Sequence, residues 1–383
     1  MKPFYSSYPY DKKIYNMPIV YIGGKPVIEP HSYARYVQTV NDKPIEKKQK
    51  QIIDLEIEIQ TLDDLIDLAK KVGSEYKLTP EIEYNIDLKM LKNLLPEMEA
   101  LHAMIGQTTL KNQVANLILY FCLHLNVAND DLMHTIIDGG PGTGKTEFAQ
   151  KIAKIYLKLG VLKRDIFKKV RRSDLIAGFL GQTALKTEEV ISEASGGVLF
   201  IDEAYSLGNN DGKESKDSFS KECVDILNQS LTEMRDNPDD YFILMIAGYK
   251  EDLQRSFFSL NDGLERRFTI HFTMDEYSSA ELIEIFKKKT REAGWSMCDN
   301  ALSEEFMEKN KSYFKFAGGD METWFVKCKI AHSRNFISGK NKNKRVLNST
   351  DIADGLDIFI KNPMVGQRKP TDDSHAAWRT IYN

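Results

Sequence analysis

Gly139-Gly140-Pro141-Gly142-Thr143-Gly144-Lys145-Thr146 restricts this chain more than any other stretch. It fits G-x-x-x-x-G-K-[ST], the phosphate-cradling loop of P-loop nucleotidases. The context is the one such a loop needs. His134-Thr135-Ile136-Ile137-Asp138 reads as a short buried strand before it. After it, Phe148, Ile152, Ile155, Tyr156 and Leu159 recur at helical spacing, and Gly160 supplies a stop. The glycines let backbone N–H groups approach phosphate oxygens, and the following helix N-terminus adds positive potential. Lys145 is expected to reach the β- and γ-phosphates, and the Thr146 hydroxyl to ligate Mg²⁺.

Downstream, Gly197-Val198-Leu199-Phe200-Ile201-Asp202-Glu203 is an apolar strand ending in two carboxylates. An acidic residue at the tip of a buried parallel strand lies where open α/β sheets bind ligands. Asp202 is therefore expected to hold Mg²⁺, partly through water, and Glu203 to act as general base on the attacking water. Further strands read at 165–170 and 241–249, and two arginines, Arg266 and Arg267, precede one more near Ile270. Beyond Tyr277 the pattern is wholly helical, opening with the capping box Ser278-x-x-Glu281. Strands alternating with helices, then helices alone, predict an α/β domain followed by an α-helical one.

The expected organisation is a partly ordered arm over 1–48, a small α+β module and linker over 49–97, and a nucleotide-binding α/β domain over 98–275. An α-helical lid over 276–362 and a polar, frayed tail over 363–383 complete it. In the arm, Pro18–Ile22 reads as a short strand. In the module, Asp54–Gln60 alternates as a half-buried strand, and Thr61 caps a helix carrying Leu62, Leu65, Ile66 and Ala69. Gly208–Lys216 reads as a polar loop. No apolar run has membrane-span length and the start lacks a signal-peptide core, so the expectation is a soluble, intracellular, cytoplasmic protein. A formal net charge of −4 argues against nucleic acid as partner, and the basic run Lys340–Arg345 reads as a solvated loop. Cys122, Cys223, Cys298 and Cys328 show no metal-ligand spacing with the seven histidines and read as reduced thiols.

With these residues laid out, the chain resembles an AAA+ ATPase over roughly residues 95–362. More narrowly it is similar to the branch of the red-type Rubisco activases and stage V sporulation protein K. The narrower likeness rests on Gly178-Phe179-Leu180-Gly181-Gln182-Thr183-Ala184-x-Lys186-Thr187, on Gly196–Tyr205 and on Ile246-Ala247-Gly248-Tyr249. The resemblance implies the AAA+ parallel sheet with flanking helices and helical lid, with ATP and Mg²⁺ as cofactors. It implies that Ile105 and Gly106 touch the adenine and that Phe179 and Leu180 form a pore loop gripping a threaded polypeptide. Arg267, with Arg266 as fallback, would be the arginine finger, which requires a homo-oligomeric ring, typically a hexamer. Two positions depart from the family pattern: Tyr249 stands where a polar sensor is usual, and Met321 where relatives often place a sensor arginine, with Arg334 as a conceivable substitute.

The function expected is thus a ring-forming, Mg²⁺-dependent ATPase that remodels or threads an unidentified protein substrate. A nucleotide-gated assembly scaffold with slow hydrolysis is the alternative. A nucleic-acid motor and a small-molecule kinase are disfavoured by the charge and by the acidic pair, downstream arginine and helical lid.

Overall fold

The computed structural model describes residues 20–22, 25–27, 51–126, 132–179, 181–208, 218–234, 241–261 and 263–368. Leu180, most of the expected arm, the polar loop from 209 to 217 and the tail from 369 onward lie outside them. The chain divides into two units between Gln51 and Ile52. In the first, β1 (Val20–Ile22) pairs antiparallel with β2 (Lys25–Val27).

A two-stranded sheet of β3 (Gln51–Ile53) and β4 (Ile82–Tyr84) opens the second. The strand expected over Asp54–Gln60 is not formed. Instead the Leu55 N–H donates to Asn85 Oδ1 at 3.0 Å, and its carbonyl accepts from Asn85 Nδ2 at 3.2 Å. Alternation marked burial only in part: Leu55 and Ile59 pack half-buried on the core, whereas Ile57 between them is exposed. It could not supply the partner backbone that a ladder needs, and one side-chain amide satisfies Leu55 instead. The helix α1 (Leu62–Lys71) follows as expected, with Thr61 and Asp64 closing a capping box. Then come α2 (Leu88–Asn93), α3 (Leu95–His102), with Pro96 in its first turn, and α4 (Thr108–Cys122).

Five short strands form the central sheet: β5 (Thr135–Asp138), β6 (Phe167–Val170), β7 (Val198–Ile201), β8 (Ile243–Gly248) and β9 (Ile270–Thr273). All pair in parallel, in the order β6-β7-β8-β5-β9. The intervening helices include α5 (Lys145–Lys158), α6 (Thr183–Ala194) and α7 (Ser218–Glu233). Because side chains alternate along a strand, the sheet feeds two cores. Ile137, Phe200 and Met245 join α1 to α5 on one face, whereas Ile136, Leu199 and Leu244 join α6 and α7 on the other. The chain leaving β5 passes β8 and β7 to reach the edge strand β6, so the crevice at the carboxyl end of β5 lies at a topological switch.

The C-terminal region is helical: α8 (Ser279–Glu292), α9 (Glu304–Asn310), α10 (Ala317–Ile337) and α11 (Ser349–Ile360). Their core is aromatic, with Trp324 against Phe286 at 4.4 Å and Phe314 at 5.0 Å between ring centres. Met321 is fully buried in this core. A buried polar cluster ties α10 to α11: the Asp351 carboxylate accepts from Asn335 Nδ2 at 2.9 Å and Asn341 Nδ2 at 2.6 Å, with His332 Nδ1 at 2.9 Å. Burial alone would raise the Asp351 carboxyl, but hydrogen bonds from His332, Asn335, Asn348 and Asn341 outweigh it and hold it below its ordinary value. Among the described residues, no helix is long and apolar enough to cross a membrane.

The tail was expected to fray from 363 onward, but residues 363–368 are held. Pro363–Gly366 makes a helical turn whose Val365 is buried. Arg368 then donates to Asp320 Oδ2 at 2.7 Å and to the Tyr313 carbonyl at 3.0 Å, with its guanidinium 4.4 Å from the Phe316 ring centre. Polarity at Arg368 signalled solvent when read alone, yet its charge has a buried partner. Removing one member of such a pair strands the other, at a typical cost of about 3–5 kcal/mol. Arg368→Ala should accordingly lower the denaturation midpoint clearly, by urea titration, whereas the exposed Arg255→Ala should not; equal midpoints would refute the clamp.

Candidate nucleotide site

The phosphate loop runs from Gly139, at the end of β5, to Lys145 and Thr146, which open α5. Its shape requires glycine most clearly at position 142. There φ is 72°, and a Cβ would stand 2.0 Å from the Phe316 carbonyl oxygen. The contact is made close by the Gly318 N–H, which donates to the Gly142 carbonyl at 3.2 Å. The N-terminal end of α10 therefore abuts the phosphate loop. Within the loop, Thr143 Oγ1 donates to the Gly140 carbonyl at 2.8 Å, and Tyr277 Oη donates to the Thr143 carbonyl at 2.8 Å. Gly142→Val should reduce affinity for a fluorescent ADP analogue by about tenfold, because strain at such a backbone costs about 1–3 kcal/mol. Unchanged affinity would show that this close approach does not shape the site.

Lys145 Nζ donates to the carbonyls of Gly139 at 2.9 Å and Gly140 at 2.7 Å. It also stands 5.2 Å from the ring centre of Tyr249, which stacks on Tyr205 at 5.4 Å. Burial pulls the lysine's pKa below its ordinary value, and the charges of Asp202, Asp138 and Glu203 oppose that shift. The Tyr205 phenol is pushed up to about 12, first by burial and then by the Glu203 charge. Both phenols therefore stay neutral near pH 7.

The acidic pair comes from the carboxyl end of β7. Thr146 Oγ1 donates to Asp202 Oδ2 at 3.3 Å, and Lys169 Nζ lies 2.7 Å from the same oxygen. Glu203 is exposed and has a left-handed backbone, φ 54° and ψ 46°. That conformation is uncommon for a residue with a side chain and aims the carboxylate differently from a continuing strand. Hydroxyl and carboxylate oxygens side by side are hard donors of the kind Mg²⁺ takes, so Thr146 and Asp202 fit that ion.

Lys145, Thr146, Asp202, Glu203, Tyr205 and Tyr249 line one cavity of about 600 Å³. Pro141, Gly142, Thr143, Gly144, Lys145 and Thr146 form its floor, and Asp202 and Glu203 one wall. Ile105 lines it too, whereas Gly106 does not; a Cβ at Gly106 would stand 2.4 Å from Glu281 Oε1. Gly139 and Gly140 serve through their carbonyls. The helical region contributes Gly318, Gly319, Lys288 and Lys289. Arg334 is exposed in the last turn of α10, far along the helix from Gly318, and does not face the cavity.

Phe179 and Arg267 lie away from the cavity lining. Phe179 is 72% exposed on the segment after β6; Leu180 is outside the described residues. Arg267 follows α7 in space: its Nε donates to Asn228 Oδ1 and its Nη2 to Thr232 Oγ1, both at 2.7 Å. Arg266, on the same short helical turn, is exposed. Sequence reasoning missed Lys169, which it read only as part of a strand, and Tyr277, read only as a boundary.

A glycine loop whose lysine shares one cavity with an acidic strand tip is the working part of a P-loop ATPase. Comparison with known proteins narrows that class. Residues 135–274 match the family model described as ATPase family associated with various cellular activities (AAA). The putative cfxQ-like protein R730 of Acanthamoeba polyphaga mimivirus is 34% identical over 304 residues, 79% of this chain and 72% of the relative. Stage V sporulation protein K of Bacillus subtilis is 33% identical over 244 residues, 60% of this chain and 71% of that protein. Protein CfxQ of Xanthobacter flavus is 37% identical over 187 residues, 48% and 56% of the two chains. The chain belongs to the AAA ATPase family, with the CfxQ-like proteins and stage V sporulation protein K among its homologues. It is an ATP hydrolase by that membership.

Proposed function

We propose that this chain is a ring-forming, Mg²⁺-dependent ATPase that uses hydrolysis to remodel or thread a protein partner. The observation that carries the reading is the meeting of Lys145, Thr146, Asp202 and Glu203 in one cavity roofed by the helical region. Lys145 and the loop amides bind and orient the triphosphate. Thr146 and Asp202 would hold Mg²⁺, which when bound neutralises phosphate charge. Glu203 takes a proton from water as the water oxygen bonds to the γ-phosphorus; the bond to the bridging oxygen breaks, and ADP leaves with that electron pair. Ile105 is suitably placed beside the loop to contact the adenine. Exposure of Phe179 supports a role for Phe179 and Leu180 in gripping polypeptide. Arg267 would complete the site of a neighbouring subunit in a homo-oligomer, typically a hexamer.

The test is the ATPase rate per subunit as protein concentration rises. A rate that climbs with assembly supports the ring, and a flat, substantial rate at all concentrations sinks it. One observation favours the slower, scaffold-like alternative: Met321 is buried in the helical core, so the cations that region offers the cavity are Lys288 and Lys289 rather than an arginine at that position. Negligible turnover despite nucleotide-dependent assembly would select it.

A further inference from the structure

Register places Lys169 beside the acidic strand tip. On β6 it lies opposite Phe200 of β7, one step from the Val170–Ile201 pair, and the Asp202 N–H donates to the Val170 carbonyl at 3.0 Å. Alternation sends the neighbouring Lys168 to the opposite face, where it meets Glu193 of α6. Lys169 instead emerges on the face that packs against α5, its ammonium 5.8 Å from the Phe200 ring centre. There it contacts two groups at once, Asp202 Oδ2 at 2.7 Å and Thr146 Oγ1 at 3.3 Å, and those two are themselves 3.3 Å apart. Asp202 is 16% exposed and Lys169 35%, so the pair is partly shielded from solvent and keeps more of its attraction than a surface pair.

We propose that Lys169 is a built-in competitor for the divalent cation. This rests on the reading of Thr146 and Asp202 as the cation-holding pair. A hydrated divalent ion and an ammonium cannot share one carboxylate oxygen and one hydroxyl: they overlap in space and repel. Loading the ion therefore requires Lys169 to swing away on its four-carbon stem, and the interaction surrendered subtracts from cation affinity. Metal and nucleotide reinforce one another's binding, so by reciprocal linkage Lys169 also sets the Mg²⁺ concentration at which nucleotide is firmly retained. The side chain is a positioning residue acting on the pair, with no part in the bond exchange.

The experiment is equilibrium binding of a fluorescent ADP analogue to the full chain while Mg²⁺ is titrated from chelator-depleted buffer to millimolar. It compares wild type with Lys169→Met, Lys169→Gln, Lys169→Arg and Asp202→Asn. The half-saturating Mg²⁺ concentration should fall about fivefold in Lys169→Met and Lys169→Gln, stay near wild type in Lys169→Arg, and lose definition in Asp202→Asn. If Asp202→Asn abolishes the Mg²⁺ response while both neutral Lys169 variants keep the wild-type midpoint, the competitor inference is overturned and the cation pair stands. If wild type shows no Mg²⁺ response, or Asp202→Asn retains it, the cation pair falls and the inference with it. Direct Mn²⁺ binding without nucleotide, read by electron paramagnetic resonance, should follow the same order among variants.

Discussion

Glu203→Gln should abolish steady-state ATP turnover while leaving nucleotide affinity intact. The amide keeps the size and the left-handed backbone of Glu203 but cannot take a proton from water, and a positioned general base typically contributes about 10²–10⁴-fold. Its carboxylate is exposed at the cavity wall and lacks the Thr146 and Lys169 contacts that bind Asp202 into the site. Binding and chemistry should thus separate: wild-type affinity for the ADP analogue, turnover down by two orders of magnitude or more. Retained turnover would remove Glu203 from the mechanism. Lost binding would instead make the residue structural.

Arg267→Ala should be as severe, through a different route. An arginine supplied across an interface typically accelerates phosphoryl transfer by about 10³–10⁵-fold. Here the side chain is oriented by Asn228 and Thr232 of its own subunit, outside its own cavity. Under the proposed ring, this arginine would serve the nucleotide of another copy. Its loss should cut the rate in assembled protein by about 10³ or more, with each subunit still binding nucleotide. Mixing Glu203→Gln with Arg267→Ala subunits provides the sharper check. Some interfaces then pair an intact Glu203 with an intact Arg267, so two inactive proteins should regain part of the activity. No recovery, together with a loss of turnover in Arg266→Ala, would move the role to Arg266.

The parts of this site that sequence exposed are those whose chemistry is contiguous. Phosphate must be wrapped by successive backbone amides, so Gly139–Thr146 is one string, and the Asp202-Glu203 pair marks a strand end because the strand before it is uniformly apolar. What sequence concealed depends on register and on distant contacts. Lys168 and Lys169 are indistinguishable in a row, and only strand alternation beside β7 sends one to Glu193 and the other to Asp202. The Asp54–Gln60 run shows the reverse failure: an alternating pattern with no neighbouring backbone to pair with, in which Leu55 and Ile59 pack but Ile57 is exposed. Arg368 likewise looked like a solvated tail residue until Asp320 supplied its partner. The parallel sheet and helical C-terminal region were legible because period and order decide both.

The junction at Gly142 has a mechanical consequence. Helix α10 has 21 residues, a rod of about 30 Å, and one end of it rests on the phosphate loop through Gly318 while Arg368 grips its first turn at Asp320. Its other end carries Ile337, 88% exposed. Geometry alone sets the scale: for a rod of that length resting on the loop, a tilt of about 10° corresponds to about 5 Å at the far tip.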